Sequence, residues 1–441
     1  MNHFAVFKVS FLALMLTTAI PAHSNELSLD EALSYALDNE PWLTASKYQQ
    51  AAIQAQSLAA GTLPDPVLTV GLMNLPTDGF AFDQEGMTQL KVGVSQMFSR
   101  GDSLALKQHA LAQSAQQYPW LRADRLAQVK TIVIESWLNA YRAQQSIALI
   151  EQDKALFSQL IDITESSYAS SVGKTRQQDI IRAQLELTRL EDKLVMLEQQ
   201  FESAKKRLSQ WLPINMLTQP VSAKRHDIAP LVDFAQLEFA QLMPLLMAHP
   251  AIIALDKTVA AKQTEVEVAK QGYKPQFGVN MGYGYRDDTP MGDSRADLFS
   301  VGVSVDLPLF TDNRQDQQVN AAIAMAEAVK TQKLIALQKL QGMYFKEFSQ
   351  LPQLAKRDAL YQTKLLPQMA EQAQATLNAY TRDDGDFSEV MRARISELNA
   401  KIDALNIEID QQIIIARLNY YASSKDAAVM VEQLAGEHRE H

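Results

Sequence analysis

Cysteine is absent from all 441 residues. This excludes a disulfide framework, a thiolate metal site and an N-terminal lipid anchor on Cys. Long apolar runs are equally scarce. Beyond residue 24 no segment offers the ~20 uninterrupted apolar residues that a helix needs to cross a bilayer. A membrane span in this chain would have to be β. Basic charge is in deficit, with 41 Lys and Arg against 51 Asp and Glu and a net charge of −10. That balance argues against nucleic acid as a partner. The chain also lacks HExxH, a phosphate loop and Gly-x-Ser-x-Gly, so no catalytic residue, cofactor or enzyme activity is expected.

The N-terminus carries the marks of export. Lys8 supplies positive charge, residues 9–20 form a short apolar run, and Ala22-His23-Ser24 is a small-x-small cleavage site. Residues 1–24 read as a signal peptide, and the mature chain starts near Asn25. Loss of Lys8, the one charge in that segment, takes the net charge from −10 to −11.

The rest of the chain is written twice, at an offset of 209 residues. Pro41 falls on Pro250 and Pro66 on Pro275. Val92-Gly93-Val94-Ser95 falls on Val301-Gly302-Val303-Ser304. The offset then drifts: Tyr168 and Gly173 match Tyr380 and Gly385 at 212, and Asp179-Ile180-Ile181-Arg182-Ala183 matches Glu389-Val390-Met391-Arg392-Ala393 at 210. Matched prolines and glycines are not helix filler, so the repeat is not generic Ala-rich similarity. The first repeat spans 25–230, including a proline-containing connector at 212–230. The second spans 231–425, and a charged tail, 426–441, is read as mobile. His438 and His441 on that tail are a poor metal site.

Each repeat has one plan: helix, strand, strand, long helix, long helix. The first helix is placed at 28–62, with Ser28 or Asp30 as cap, and its counterpart at 233–272. Strands are placed at about 66–75, 89–98, 276–286 and 298–309. They alternate with period two. Val70, Val92 and Val94 oppose Gly71, Lys91, Gly93 and Ser95; Val279 and Met281 oppose Gly278, Asn280 and Gly282. One face suits lipid and the other a wet lumen, although a soluble sheet with one buried face gives the same alternation. Outgoing helices are placed at 104–168 and 313–380. Sixty-five helical residues reach roughly 100 Å, so these rods must project. The return helices repeat every seven residues, through Ala183, Leu187, Leu190, Leu194 and Leu197 and through Met391, Ile395, Leu398 and Ile402. That spacing means coiled-coil packing. Trp137 and Tyr141 read as seam residues, and Met196, Met325 and Met343 as packing residues. The fold class is mainly α with a membrane β portion. Four strands cannot close around a pore, and open edges are not tolerated in lipid. A closed oligomer is required if the strands lie in lipid; three chains would give 12 strands.

Leu63-Pro64-Asp65-Pro66 before a strand, the Val-Gly-Val-Ser strand and the Tyr-x4-Gly hairpin, in the same order in both repeats, resemble the TolC-like outer-membrane efflux proteins. The resemblance covers almost the whole mature chain. It implies a homotrimer with a 12-strand β-barrel in outer-membrane lipid on a long α-helical coiled-coil barrel in the periplasm. Implied partners are a periplasmic adaptor (membrane fusion protein) and an inner-membrane RND-type pump. It also implies that the hairpin tips, 168–183 and 380–393, form the gate and adaptor contact. Those tips hold Tyr168, Gly173, Asp179, Arg182, Tyr380, Asp383, Asp384, Gly385, Asp386, Glu389 and Arg392. The family's acidic pattern carries over in part, with Arg182 and Arg392 standing at its second acid. Asn74-Leu75-Pro76-Thr77-Asp78 and Ser95-Gln96-Met97-Phe98 are similar to the heavy-metal branch (copper–silver or cobalt–zinc–cadmium). The same fold could serve drug efflux or type I protein secretion, and a soluble periplasmic coiled-coil adaptor or scaffold is the alternative of another class.

Overall fold

The computed structural model describes residues 26–169, 177–224, 226–382 and 386–424. The expected signal and the tail with His438 and His441 lie outside these residues.

Proline sets the breaks. The helix expected at 28–62 is two helices, α1 (Leu29–Asp38) and α2 (Pro41–Ala60). The residue before a proline is pushed out of the helical region, and Glu40 sits at φ −76°, ψ 106°. Ser28 caps α1, its Oγ accepting from the Glu31 N–H at 3.2 Å. Strands β1 (Val67–Met73) and β2 (Gln89–Met97) follow. The outgoing rod, expected as one helix, is α3 (Ser103–Ala115) and α4 (Gln117–Ala169). Pro119 has no N–H to return to the preceding turn, which accounts for the break at Gln116. The return helix is α5 (Gln177–Arg207), and the connector holds a short α6 (Ile214–Leu217).

The second half repeats this order. The helix expected at 233–272 starts later and is again split before the matched proline, into α7 (Phe239–Met247) and α8 (Pro250–Lys270), with His249 extended at ψ 138°. Strands β3 (Gln276–Tyr285) and β4 (Leu298–Asp306) lead to α9 (Gln315–Leu360). A π-turn, Tyr361–Leu365, joins α9 to α10 (Leu366–Thr381), and α11 (Phe387–Tyr421) returns.

Among the described residues no single helix is long and apolar enough to cross a membrane. The bent pair Ala240–Met247 and Pro250–Tyr273 passes by composition, but its Leu242, Leu246 and Ile252 are buried in the protein's own core.

The heptad seams pack as expected. Leu190, Leu194, Leu197, Ala204 and Leu208 of the first return helix and its continuation are buried, as are Met391, Leu398, Ile402 and Ile409 of α11. Trp137 is fully buried, stacks on Tyr141 at 5.5 Å and donates its indole N–H to the Leu27 carbonyl at 3.0 Å. Met196, Met325 and Met343 depart from the sequence reading. They are exposed on the protomer, because they lie off the faces that the seams use. The connector is held down by side-chain amides. Gln144 bonds both the N–H and the carbonyl of Val221, and Gln412 and Asn419 accept from the N–H groups of Ile228 and Leu231.

Candidate functional site

The two strand pairs join into one antiparallel sheet of order β1-β2-β3-β4, and β2 pairs with β3 across the two halves of the chain. The register aligns the apolar sets. Leu68 faces Val94, Val94 faces Met281, and Met281 faces Val301; one step along, Val70, Val92, Tyr283 and Phe299 line up in the same way. A one-residue slip in any strand would break this match. None of the described residues covers the resulting face: Leu68, Val301 and Val303 are 66%, 58% and 69% exposed. A soluble sheet buries such a face. Here a contiguous band of Leu, Val, Phe and Tyr is open, and among the described residues no strand pairs with the outer edge of β1 or of β4.

The opposite face is small and polar along its middle, with Val67, Met73, Met97 and Leu298 at the strand ends. Gly71, Gly93, Gly282 and Gly302 lie on it with Thr69, Ser95, Asn280 and Ser300. Its longer side chains lie flat because the neighbouring strand offers glycine. A Cβ on Gly282 would stand 2.9 Å from Lys91 Cε, and one on Gly278 or Gly302 would meet Met97 or Asn280. Asp306, at the helix end of β4, is paired with Arg100.

The loops beyond the strands cross-link. Arg295 donates to the carbonyls of Asp83 and Glu85, and Arg286 to those of Gly86 and Ala296. Gly292, at φ +89°, makes the turn of the second loop.

At the far end, one apolar cluster joins both helical hairpins. Ile150, Phe157 and Ala183 of the first pack with Phe387, Val390 and Met391 of the second. Tyr380 meets the Phe387 ring at 5.7 Å between centroids. Asp386 caps α11, accepting from the Ser388 N–H at 2.8 Å. Glu389, Arg392 and Arg182 are exposed, and Arg182 and Arg392 line a groove of about 380 Å³ between α5 and α11. Arg394 is committed within its own hairpin, to Glu397 at 2.9 Å. The Tyr168 and Asp179 backbones lie in α4 and α5. Gly173, Asp383, Asp384 and Gly385 lie outside the described residues.

The sequence carries no signal for the polar links between distant helices. Arg417 on α11 bonds Glu135 on α4 at 2.7 Å and reaches Glu347 on α9 at 3.4 Å. Asp124 accepts from the Tyr420 hydroxyl at 2.9 Å and from Gln128 at 2.8 Å. Burial pushes the Asp124 carboxyl up to about 6, despite these donors. His249, fully buried, accepts from the Ala251 N–H on Nδ1 and meets the Tyr420 carbonyl with Nε2 at 3.1 Å, so Nε2 is the protonated nitrogen. Burial lowers its pKa to about 4. No local motif marks these groups, which come from helices separated by 70 residues or more. Among the described residues no cluster of three or more His, Cys, Asp or Glu is placed to hold a metal.

No protein-family profile matches the sequence, and no curated protein matches it. Solved structures do share the fold. The Campylobacter jejuni CmeC outer membrane channel is 12% identical, with a TM-score of 0.74 over 96% of this chain and 94% of that one. The outer membrane protein VceC from Vibrio cholerae is 14% identical, with a TM-score of 0.71 over 90% and 96%. CusC, described for transmembrane channel formation, is 13% identical, with a TM-score of 0.71 over 90% and 92%. The chain has the fold of these outer-membrane channels over nearly its whole described length.

Proposed function

We propose that the chain is one of three identical subunits of a passive channel in the outer membrane of a Gram-negative bacterium, serving a tripartite efflux system. The observation that carries this reading is the uncovered apolar face on a sheet with two open edges. Strands of 7 to 10 residues rise roughly 23–33 Å, close to the ~25 Å apolar band of an outer-membrane barrel once tilted. Edges must be paired inside lipid, so copies of the chain close the sheet. Two copies give eight strands, whose interior side chains fill. Three give 12 and leave a lumen, and the shared fold with outer-membrane channels supports that count. The rods then form a tube in the periplasm, and the hairpin tips meet an adaptor linked to an inner-membrane pump of RND type.

The reading assigns no catalytic step. Export of heavy-metal cations rests on the 74–78 and 95–98 segments, and no feature of the fold favours that cargo over another. The soluble adaptor or scaffold leaves the apolar face without a purpose.

Single cysteines test the reading in this cysteine-free chain. Gly71→Cys, Gly93→Cys, Asn280→Cys and Gly302→Cys should react with small water-soluble thiol reagents in membranes. Val70→Cys, Val94→Cys, Val279→Cys and Val303→Cys should not. Reaction at both sets, with the protein recovered in the soluble fraction, would favour the scaffold.

A further inference from the structure

We propose that Lys91 makes a belt of positive charge inside the barrel, so that the slice of the conduit around it concentrates small anions and repels cations. The belt rests on the trimeric channel reading, because it needs one lysine from each of three copies.

Lys91 is the third residue of β2 and lies near the loop end of the sheet. It pairs with Gly71 on one side and Gly284 on the other, which places it on the small, polar face. The side chain lies across Gly282, held to the wall instead of reaching to the axis. Charge on that strand face is sparse. Lys91 and Asp306 are its ionised residues, and Asp306 is already paired with Arg100. Among the described residues no acid forms an ion pair with Lys91. The loops above carry Arg286 and Arg295, which donate to backbone carbonyls, and seven carboxylates, among them Asp83, Glu85 and Asp297, which lie beyond the strands and not on this face. No acid on the wall cancels the ammonium.

Magnitude decides whether this matters. Twelve strands about 4.8 Å apart and tilted about 40° enclose a radius of roughly 12 Å at the backbone. Three ammonium groups in a slice about one Debye length thick, ~10 Å at 0.1 M salt, amount to fixed charge on the order of 1 M. That exceeds the bathing salt about tenfold, so anions dominate the slice at low ionic strength and lose their advantage near 1 M. The belt would therefore disfavour a bare divalent cation in that slice and favour an anionic or neutral species.

The test reads the local field from the outside, so the state of the helical end does not enter. Ser95 shares the wet face of β2 and lies four residues, about 13 Å, below Lys91. The Ser95→Cys protein is assembled in outer-membrane vesicles and treated with an anionic and a cationic methanethiosulfonate of similar size. The ratio of the two rates cancels differences in thiol reactivity. With Lys91 present at 10 mM salt the ratio of anionic to cationic rate should be higher than in any variant that lacks the charge. Lys91→Gln should lower the ratio at least about threefold, Lys91→Glu should lower it further, and Lys91→Arg should keep it. At 1 M salt all four ratios should converge. Equal ratios for Lys, Gln and Glu at 10 mM salt would overturn the belt while leaving the channel intact. If the Ser95→Cys trimer resisted both reagents while Val94→Cys reacted, the lumen assignment itself would fail, and the belt with it.

Discussion

A charge placed on the apolar face should cost far more than the same charge one residue away. Val94 is in the middle of the sheet, between Leu68 and Met281, and its side chain is 47% exposed on the protomer. If that exposed area meets lipid, Val94→Lys puts an ammonium near the bilayer midplane, at about 2–4 kcal/mol. Three copies raise this to roughly 6–12 kcal/mol per assembly, comparable with the ~5–15 kcal/mol by which a folded domain is stable. Ser95→Lys presents the same charge to the wet face and should stay within about 0.5 kcal/mol per chain. Urea titration of protein assembled in phospholipid vesicles, followed by the heat-modifiable mobility of the oligomer, measures both. Val94→Lys should lower the midpoint sharply or prevent assembly, and Ser95→Lys should follow the unmodified protein. Equal loss in the two variants, or greater loss for Ser95→Lys, would refute the assignment of faces.

Two further predictions concern the helical part. Asp124 titrates near 6 in the folded chain and near 4 when unfolded. The stability it contributes is therefore present below pH 4 and lost as pH rises through 6, by up to about 3 kcal/mol. His249 has the opposite sign: its folded value near 4 lies below the unfolded 6.5, so its share is present above pH 6.5 and lost as pH falls through 4. In melting scans from pH 4 to 7, Asp124→Asn should leave a chain that weakens on acidification, and His249→Gln one that strengthens; parallel slopes would contradict both assignments. Arg417→Met strips the Glu347 carboxylate, 5% exposed, of its guanidinium and leaves it Lys346 at 3.3 Å. Because Arg417 is itself about a third exposed, the loss should be about 2 kcal/mol. Adding Glu347→Gln should restore more than half of it in denaturant titrations.

Periodicity carried most of the fold. The strands were legible because Val, Gly and Ser alternate at matched places in both repeats, and the return helices because Leu and Ile recur at 3-4 spacing. Helix breaks were less legible. Pro41 and Pro250 mark the repeat, yet each also starts a helix, and only backbone geometry at Glu40 and His249 shows the turn between segments. Polar links such as Arg417 to Glu135 span more than 280 residues and carry no local signature. The apolar face was ambiguous in sequence because a buried strand and a lipid-facing strand share one pattern. What separates them is whether another element covers the face, and that is a property of the tertiary structure. Lys91 was visible on the wet face, but its isolation depended on learning that Asp306 is spoken for.

The outgoing helices of the two repeats differ on the way to the helical end. The first outgoing helix, α4, runs 53 residues without interruption to Ala169. The second carries Pro352 inside α9, then the π-turn Tyr361–Leu365, with Pro367 in the first turn of α10. A missing N–H and a widened turn weaken the hydrogen-bond ladder there, about 15 residues before the tip, so the second hairpin has the better hinge. Its tip carries Asp386 and Glu389, both exposed, and the sequence adds Asp383 and Asp384 beside them. Arg394, a candidate to neutralise these acids, is already held by Glu397, which leaves Arg382 and Arg392 for that role. Threefold symmetry would gather the acids near one axis, where like charges attract cations and repel each other. Replacing Asp383, Asp384 and Asp386 by Asn and Glu389 by Gln keeps a residue able to cap α11, so the hairpin should still fold. In single-channel recordings with salts varied on the helical side, this variant should lose cation preference and be blocked less by multivalent cations. If it behaves as the unmodified channel does while Asp179→Asn alters selectivity, the first hairpin is the gate and the hinge in the second has another purpose.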